Sequence, residues 1–305
     1  MATKVFYSNG KLLLTGEYLV LDGAKAIAVP TNRGQYLTVK PIDTPKLIWR
    51  SYDEDSSVWF EDNFELKDLK VKAVKQESEV LIGILFAAQQ LNPNFLKESI
   101  GYQVNTRLTF NKDFGLGSSS TLIANIAKWA EVNPYELLFK SFPGSGYDIA
   151  CANHLNGALV YQILKGIPKV TPVMFNPGFK EQLYFVYLNK KQSSREGIAH
   201  YKSVPEQVKI EAINKINILT NTMFTCSSVV KFKQLLIEHE EVVAEVLQMK
   251  TVKQLLFADY SGAVKSLGAW GGDFVLVTVE NKSDLTYFTN KGYTNIFSFD
   301  EMLLN

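Results

Sequence analysis

The sequence predicts a mixed α+β protein in two domains, and three observations predict it. In the first half, short segments with alternating apolar residues interleave with segments whose apolar residues recur at helical spacing. The chain has 305 residues, which at about 150 residues per domain gives two units, each large enough for its own core. Between Gly166 and Phe179 the composition changes, with Pro168, Pro172, Pro177 and Gly178 falling close together. A boundary placed there divides the chain into residues 1–167 and 168–305.

Lys11 to Val20 reads as strand, turn and strand, broken at Gly16. Gln35–Pro41 and Lys46–Tyr52 are short strands separated by Asp43 and Pro45. Glu79–Leu91 carries Val80, Leu81, Ile84, Leu85 and Ala88 at helical spacing. Tyr102, Val104, Thr106, Leu108 and Phe110 alternate with other residues, as a strand with one core face does. Phe114–Thr121, FGLGSSST, runs straight into an apolar helical segment ending near Val132. A second glycine cluster, Pro143–Asp148, leads through an Ala-rich stretch to the strand Ala158–Leu164. The second half opens with the strand Leu183–Leu188 and continues with helices over Pro205–Phe224 and Val229–Met249. KSLGAWGGD, Lys265–Asp273, leads into the strand Phe274–Val279, and Thr286–Leu304 reads as a helix, a short strand and a terminal turn.

Composition narrows the function classes. Lys and Arg number 32 against 31 Asp and Glu, a formal net charge of +1. That balance gives no global electrostatic case for nucleic acid or an anionic membrane. No run of 18 apolar residues predicts a spanning helix, and MATKVFYSNGK lacks the apolar stretch of a signal peptide. Cys151 and Cys226 lie far apart in unlike contexts, which excludes a disulfide framework and a cysteine-based zinc site. The expectation is a cytoplasmic protein without a membrane or nucleic-acid partner.

Three glycine-rich stretches carry the chemistry. Gly115-Leu116-Gly117-Ser118-Ser119-Ser120-Thr121 lies between a strand and a helix. Glycines allow close backbone approach, and the free amides of a helix N-terminus receive an anion. The serine hydroxyls can donate to phosphate oxygens or ligate magnesium; alternatively, Ser118 or Ser119 caps the helix. No Lys precedes the hydroxyl residues, so this is not a Walker A loop. Asp148, held in Gly144-Ser145-Gly146-Tyr147-Asp148, is either a base for a substrate hydroxyl or a turn and cap residue. Gly268-Ala269-Trp270-Gly271-Gly272-Asp273 either meets a ligand or ends a helix and turns into a strand. Near the start, Lys11 is either a fixed cation beside a transferring phosphate or simply solvated.

In order and character these segments resemble the GHMP kinase family, named for galactokinase, homoserine kinase, mevalonate kinase and phosphomevalonate kinase. GKLLLTGEYLVLDG is similar to its first motif, NKDFGLGSSST to its phosphate loop, GSGYD to its catalytic-aspartate segment and KSLGAWGGD to its third motif, so that the resemblance runs from Gly10 to Phe274. The resemblance implies an N-terminal domain of ribosomal-protein S5 type, a C-terminal ferredoxin-like domain and an active site in the cleft between them. It implies ATP and Mg2+, with the phosphates over Gly115, Leu116, Gly117, Ser118, Ser119 and Ser120, and Ser119 as a magnesium ligand. It further implies that Asp148 activates the acceptor hydroxyl, that Lys11 lies by the reacting groups, and that Gly268, Ala269, Gly271 and Gly272 shape the site. Oligomeric state stays open between monomer and homodimer.

The sequence departs from the family pattern at Asn111, at Ser120-Thr121 and at Trp270, which stands for a glycine. The interval from the phosphate loop to Asp148 is short for the family and leaves room for little more than one full helix. Glu136 is the candidate for the family's second magnesium ligand. Glu17 with Tyr18, which the resemblance places at the substrate, and Asp273 after the glycine pair, lean toward the phosphomevalonate kinase branch, with a mevalonate kinase and then a sugar or homoserine kinase behind it. Lys190, Lys191 and Arg195 in NKKQSSREG suit an acceptor that already carries a phosphate, or form a solvated basic loop. A catalytically silent ATP-binding regulator is the reading outside the enzyme class, kept by Trp270 and the short interval before Asp148.

Overall fold

After β1 (Lys4–Leu13), one long strand, β2 (Ala26–Ile42), explains why the chain does not divide at a single point: its first residues belong to one compact unit and its last to another. The computed structural model describes residues 2–66, 75–97, 100–192 and 194–304. The first unit comprises Met1–Gly10, Arg33–Lys112 and Leu116–Asn153; the second comprises Lys11–Asn32, Asp113–Gly115 and His154–Asn305. This differs from one cut after residue 167. Pro30 and Gly34 punctuate β2 and conceal its length in the sequence.

In the first unit, β3 (Lys46–Tyr52) pairs antiparallel with β4 (Val58–Glu65) and parallel with β5 (Gly101–Leu108). β5 pairs antiparallel with the second half of β2, Gln35 opposite Leu108. A parallel pair needs a crossover, and α1 (Gln76–Leu91) lies in that connection. α1 buries Leu81, Ile84, Leu85 and Ala88, the face its spacing predicts. These pack with Leu37, Val39, Trp49 and Val104 of the strands and with Ile123, Ala124 and Ala127 of α2 (Ser118–Ala130). Trp129 of α2 meets the rings of Phe95 and Tyr102 edge-on, at 4.8 and 5.4 Å between centroids.

The interval before Asp148 holds more than the sequence suggests. It accommodates all of α2 and then α3 (Pro134–Ser141), and Asp148 sits in the first turn of α4 (Tyr147–Asn153). α3 fits because it is short and sharply started. The Asn133 side chain accepts the Tyr135 and Glu136 amides, and Pro134 occupies the first turn, where its missing N–H costs nothing.

In the second unit, the first half of β2 pairs with β6 (Ala158–Leu164), and β6 with β7 (Ile167–Val173). The segment from Gly166, read as a domain boundary, is therefore a hairpin. Leu164 faces Ile167 across Lys165 and Gly166, which have φ of 51° and 78°, the two-residue turn whose twist matches paired strands. Pro168 and Pro172, taken as linker residues, lie in β7 opposite Ile163 and Leu159.

A separate antiparallel sheet has the order β11-β8-β10-β9, from Ile296–Ser298, Leu183–Tyr187, Phe274–Thr278 and Val264–Leu267 respectively. Its central strands β8 and β10 are buried throughout, as their unbroken apolar runs require. Tyr184, Val186, Val275 and Val277 meet Phe257, Tyr260 and Phe288 in one cluster. α5 (Ser194–Lys202), α6 (Glu206–Phe224), α7 (Val229–Leu247) and α8 (Val252–Leu256) follow β8, and α9 (Thr286–Asn290) and α10 (Phe299–Met302) flank β11. Where a second strand was expected before Val20, the chain makes a 3-10 turn, Leu19–Asp22, because Gly16 and Tyr18 take φ of 84° and 61° and break the extended run. Among the described residues no helix is long and apolar enough to cross a membrane.

Candidate active site

In the first unit, α2 begins with three consecutive serines. Its N-cap is Gly117, at φ 93°, and no side chain caps the helix, so the capping role considered for Ser118 or Ser119 is not theirs. The first helical hydrogen bond at this end runs from the Thr121 amide to the Gly117 carbonyl, 2.9 Å. The amides of Ser118, Ser119 and Ser120 lie before it, at the positive end of the helix, the arrangement that receives an anion. Ser119 is exposed and Ser118 half-buried. Ser120 is buried, and its hydroxyl donates to the Gly117 carbonyl at 2.9 Å, fixing the turn instead of facing a ligand.

Asp148 is half-buried, and its Oδ1 accepts the Ile149 amide at 3.0 Å. Tyr135 of α3 lies within its field. Burial first, then the charges of Cys151 and Asp148, push the Tyr135 phenol up to about 12, so it stays a donor at neutral pH. Glu136, the sequence candidate for a metal ligand, is exposed in the first turn of α3. The α3 residue coupled to Asp148 is Tyr135, which the sequence reading passed over.

In the second unit, Lys11 donates from Nζ to the Gly115 carbonyl, 2.9 Å. Gly115 has φ 70°, and a methyl group there would overlap the Asp273 carboxyl group. Lys11, Gly115 and Asp273 thus form one cluster, although their sequence positions are widely separated. Burial raises the Asp273 pKa, while Lys11, the Gln192 amide and Lys191 oppose that rise. Asp273 also binds the segment after β8: its amide donates to the Lys190 carbonyl at 2.7 Å, and its Oδ1 accepts the Gln192 amide at 3.1 Å. Gly272 closes on that segment, since a Cβ there would stand 2.7 Å from the Lys190 carbonyl oxygen. Gly115→Ala is expected to destabilise the protein by about 1–3 kcal/mol through the left-handed backbone alone, with the Asp273 overlap added. Thermal unfolding measures it; a loss no larger than the backbone cost would mean that Asp273 swings aside freely, and an unchanged midpoint would rule out the strained turn at Gly115.

The third glycine segment turns into β10 as expected, with Gly268 and Gly271 at φ 75° and 89° and Ala269 buried. The Cβ position of Gly268 points at Lys11 Nζ, 4.0 Å away. Trp270 is buried at 2% exposure, and its amide donates to the Tyr18 hydroxyl at 3.0 Å. The Tyr18 ring stacks on Tyr201, 6.1 Å between centroids, and abuts Gly197 of α5. Glu17 is buried and bound to Lys265. Tyr18 and Glu17, expected at the substrate, are thus packed inside the second unit. Lys190 is exposed, and Lys191 pairs with Asp113 at 3.5 Å. The Arg195 side chain and Ser193 lie outside the described residues. Among the described residues no three His, Cys, Asp or Glu side chains gather as a metal site.

Comparison by sequence with family profiles and with curated proteins gives no match. Comparison of folds does. The chain superposes on the Methanococcus jannaschii mevalonate kinase with a TM-score of 0.72 at 15% identity, covering 100% of this chain and 99% of that one. For the Streptococcus pneumoniae phosphomevalonate kinase in complex with phosphomevalonate and AMPPNP, the TM-score is 0.70 at 12% identity, over 97% and 100% of the two chains. The Lactococcus lactis galactokinase complexed with galactose gives 0.68 at 13% identity, over 99% and 93%. The fold read from four short motifs is that of the GHMP kinases.

Proposed function

We propose that this protein is an ATP-dependent kinase acting on a small hydroxylated acceptor. The observation that carries the reading is the serine-rich start of α2, whose amides precede the first helical bond, joined by the left-handed glycines to the carbonyl that Lys11 holds. In this reading the α2 amides and the Ser118 and Ser119 hydroxyls hold the nucleotide phosphates. The acceptor oxygen attacks the γ-phosphorus, the bond to the β,γ-bridging oxygen breaks, and ADP leaves. Asp148 takes the hydroxyl proton as the new O–P bond forms. Lys11 offsets charge at the transferring group. Magnesium would be held mainly by phosphate oxygens with Ser119, and would neutralise charge on them. The exposed position of Glu136 supplies no support for a carboxylate ligand there.

Phosphomevalonate is the acceptor of first choice, and mevalonate the second. Supporting this order are Asp273 after the glycine pair and the basic segment Lys190, Lys191 and Arg195. Structures of the same fold carry phosphomevalonate with AMPPNP, R-mevalonate and galactose. ADP release by purified protein with Mg-ATP, compared across mevalonate 5-phosphate, mevalonate and galactose, tests both levels. Preference for the phosphorylated acceptor supports the first choice; nucleotide binding without turnover on any of them favours a regulatory protein. In the first case Arg195→Ala is expected to raise the acceptor KM about tenfold or more, as loss of a charge-assisted contact does, and to leave the KM for ATP within about twofold. Equal small effects on both would return the loop to solvated surface.

A further inference from the structure

Four ionisable side chains without a part in the proposed chemistry lie together in the second unit. Glu17, His239, Glu240 and Lys265 are each no more than 3% exposed. Lys265 donates from Nζ to Glu17 Oε1 and to the Ser266 carbonyl, the latter at 2.8 Å. Glu240 Oε1 stands 4.0 Å from the same ammonium, and Glu240 Oε2 accepts the Ser266 hydroxyl at 3.2 Å. His239, its neighbour on α7, accepts the Gly16 amide at Nε2, 3.0 Å.

The hydrogen bonds decide the charges. A ring nitrogen that accepts an amide proton is not protonated, so His239 is neutral with its proton on Nδ1. Burial, with Lys265 nearby, holds its pKa well below the ordinary value. Its 3.5 Å approach to Glu17 Oε2 is therefore not an ion pair. One cation then serves two carboxyl groups, and an uncompensated buried charge is costly. Glu17 holds the direct contact with Lys265; Glu240, farther away and facing Glu17, keeps a proton. Burial is the main cause that pushes Glu240 up to about 8, opposed by Lys265 and reinforced by Glu17.

These groups meet where two site segments join. Gly16 and Glu17 precede Tyr18, which receives the Trp270 amide; Lys265 and Ser266 lead into Gly268. We infer that His239 and Glu240 are positioning residues for the reaction, holding from α7 both the Gly16–Tyr18 turn and β9, the strand that leads into Gly268. His239 fixes the turn through the Gly16 amide. Glu240, while neutral, leaves Lys265 wholly to Glu17. The inference rests on the kinase reading for its catalytic consequence and on the buried contacts alone for its physical one.

Two variants of His239 separate positioning from packing. His239→Leu fills the space without an acceptor and is expected to lower kcat about tenfold or more with little change in the KM for ATP. His239→Gln restores an acceptor for Gly16 and should recover kcat to within about threefold. Equal loss in both, or no loss in either, would overturn the inference. Should His239→Leu fail to fold, Glu240→Gln provides the decision. Wild-type kcat should fall above about pH 8 as Glu240 ionises, and the variant should lose that limb; coincident profiles would overturn the inference. If no acceptor is turned over, thermal midpoints give the physical answer without activity. A carboxyl whose folded pKa is raised contributes stability that is full below its unfolded pKa and is lost as pH rises through the folded one. The wild-type midpoint should therefore fall more steeply than that of Glu240→Gln between pH 5 and about pH 8. Parallel midpoints would remove the neutral Glu240, and the inference with it, while leaving the kinase reading untouched.

Discussion

Replacing Asp148 by Asn is expected to lower turnover by roughly 10²- to 10⁴-fold, the usual contribution of a positioned base. Nucleotide binding and thermal midpoint should change little. The geometry makes this a clean substitution. Asp148 is half-buried in the first turn of α4, and the Oδ1 that accepts the Ile149 amide persists in asparagine. What disappears is the capacity to take a proton. A steady-state ADP assay with saturating Mg-ATP, together with binding of a fluorescent nucleotide, separates the two effects. Turnover within a few-fold of wild type would take Asp148 out of the chemistry and leave it as a turn residue.

Lys11→Met should reduce kcat by about 10²- to 10³-fold, the scale of removing a fixed donor aimed at developing charge. Nucleotide affinity should fall as well, because the same ammonium holds the Gly115 carbonyl. A second consequence concerns Asp273. Burial raises its pKa, and Lys11 is the largest influence restraining that rise. Without the ammonium, Asp273 takes up a proton at a higher pH than before, so the residual activity should acquire a new pH dependence toward the acid side. Lys11→Arg keeps the charge and serves as the control. Methionine and arginine variants with the same small loss would show that Lys11 supports the loop and not the transfer.

The sequence revealed elements where a single period dominates. α6 and α7 emerge almost to the residue because their apolar positions repeat over nineteen residues each. β8 and β10 emerge because buried strands read as unbroken apolar runs. Short elements held by hydrogen bonds were invisible to periodicity. α8 is five residues long and held by the Thr251–Gln254 capping box, a pattern present in the sequence but without an apolar period to support it. α5 is largely polar. β7 was hidden by its prolines and read as linker.

The site divides along the same line. Local features, such as the serines at the start of α2 and Asp148 after its glycines, were legible because neighbours in sequence make them. Lys11 against Gly115, Asp273 against the same glycine, and Tyr18 under Trp270 depend on contacts between distant segments, which no spacing rule encodes. One long-range feature did leave a trace. His239 and Glu240 fall in the buried series Phe232, Leu235, Leu236, Val243 of α7. Two ionisable residues on the core stripe of an amphipathic helix are the signature of a buried polar cluster, and that signature was available from the sequence.

The prolines of β7 bear on how copies of this protein can associate. β7 is the outermost strand beside β6. A proline has no N–H to give to a neighbouring strand, so the nitrogens of Pro168 and Pro172 turn away from β6 toward the open side. Four residues apart, they share one side of the ribbon, and between them only Val170 keeps an outward-facing amide donor. An incoming strand would find acceptors there but almost no donors. The β7 edge is thereby poorly suited to strand addition, and any pairing of two copies through their strands would have to use an edge other than β7.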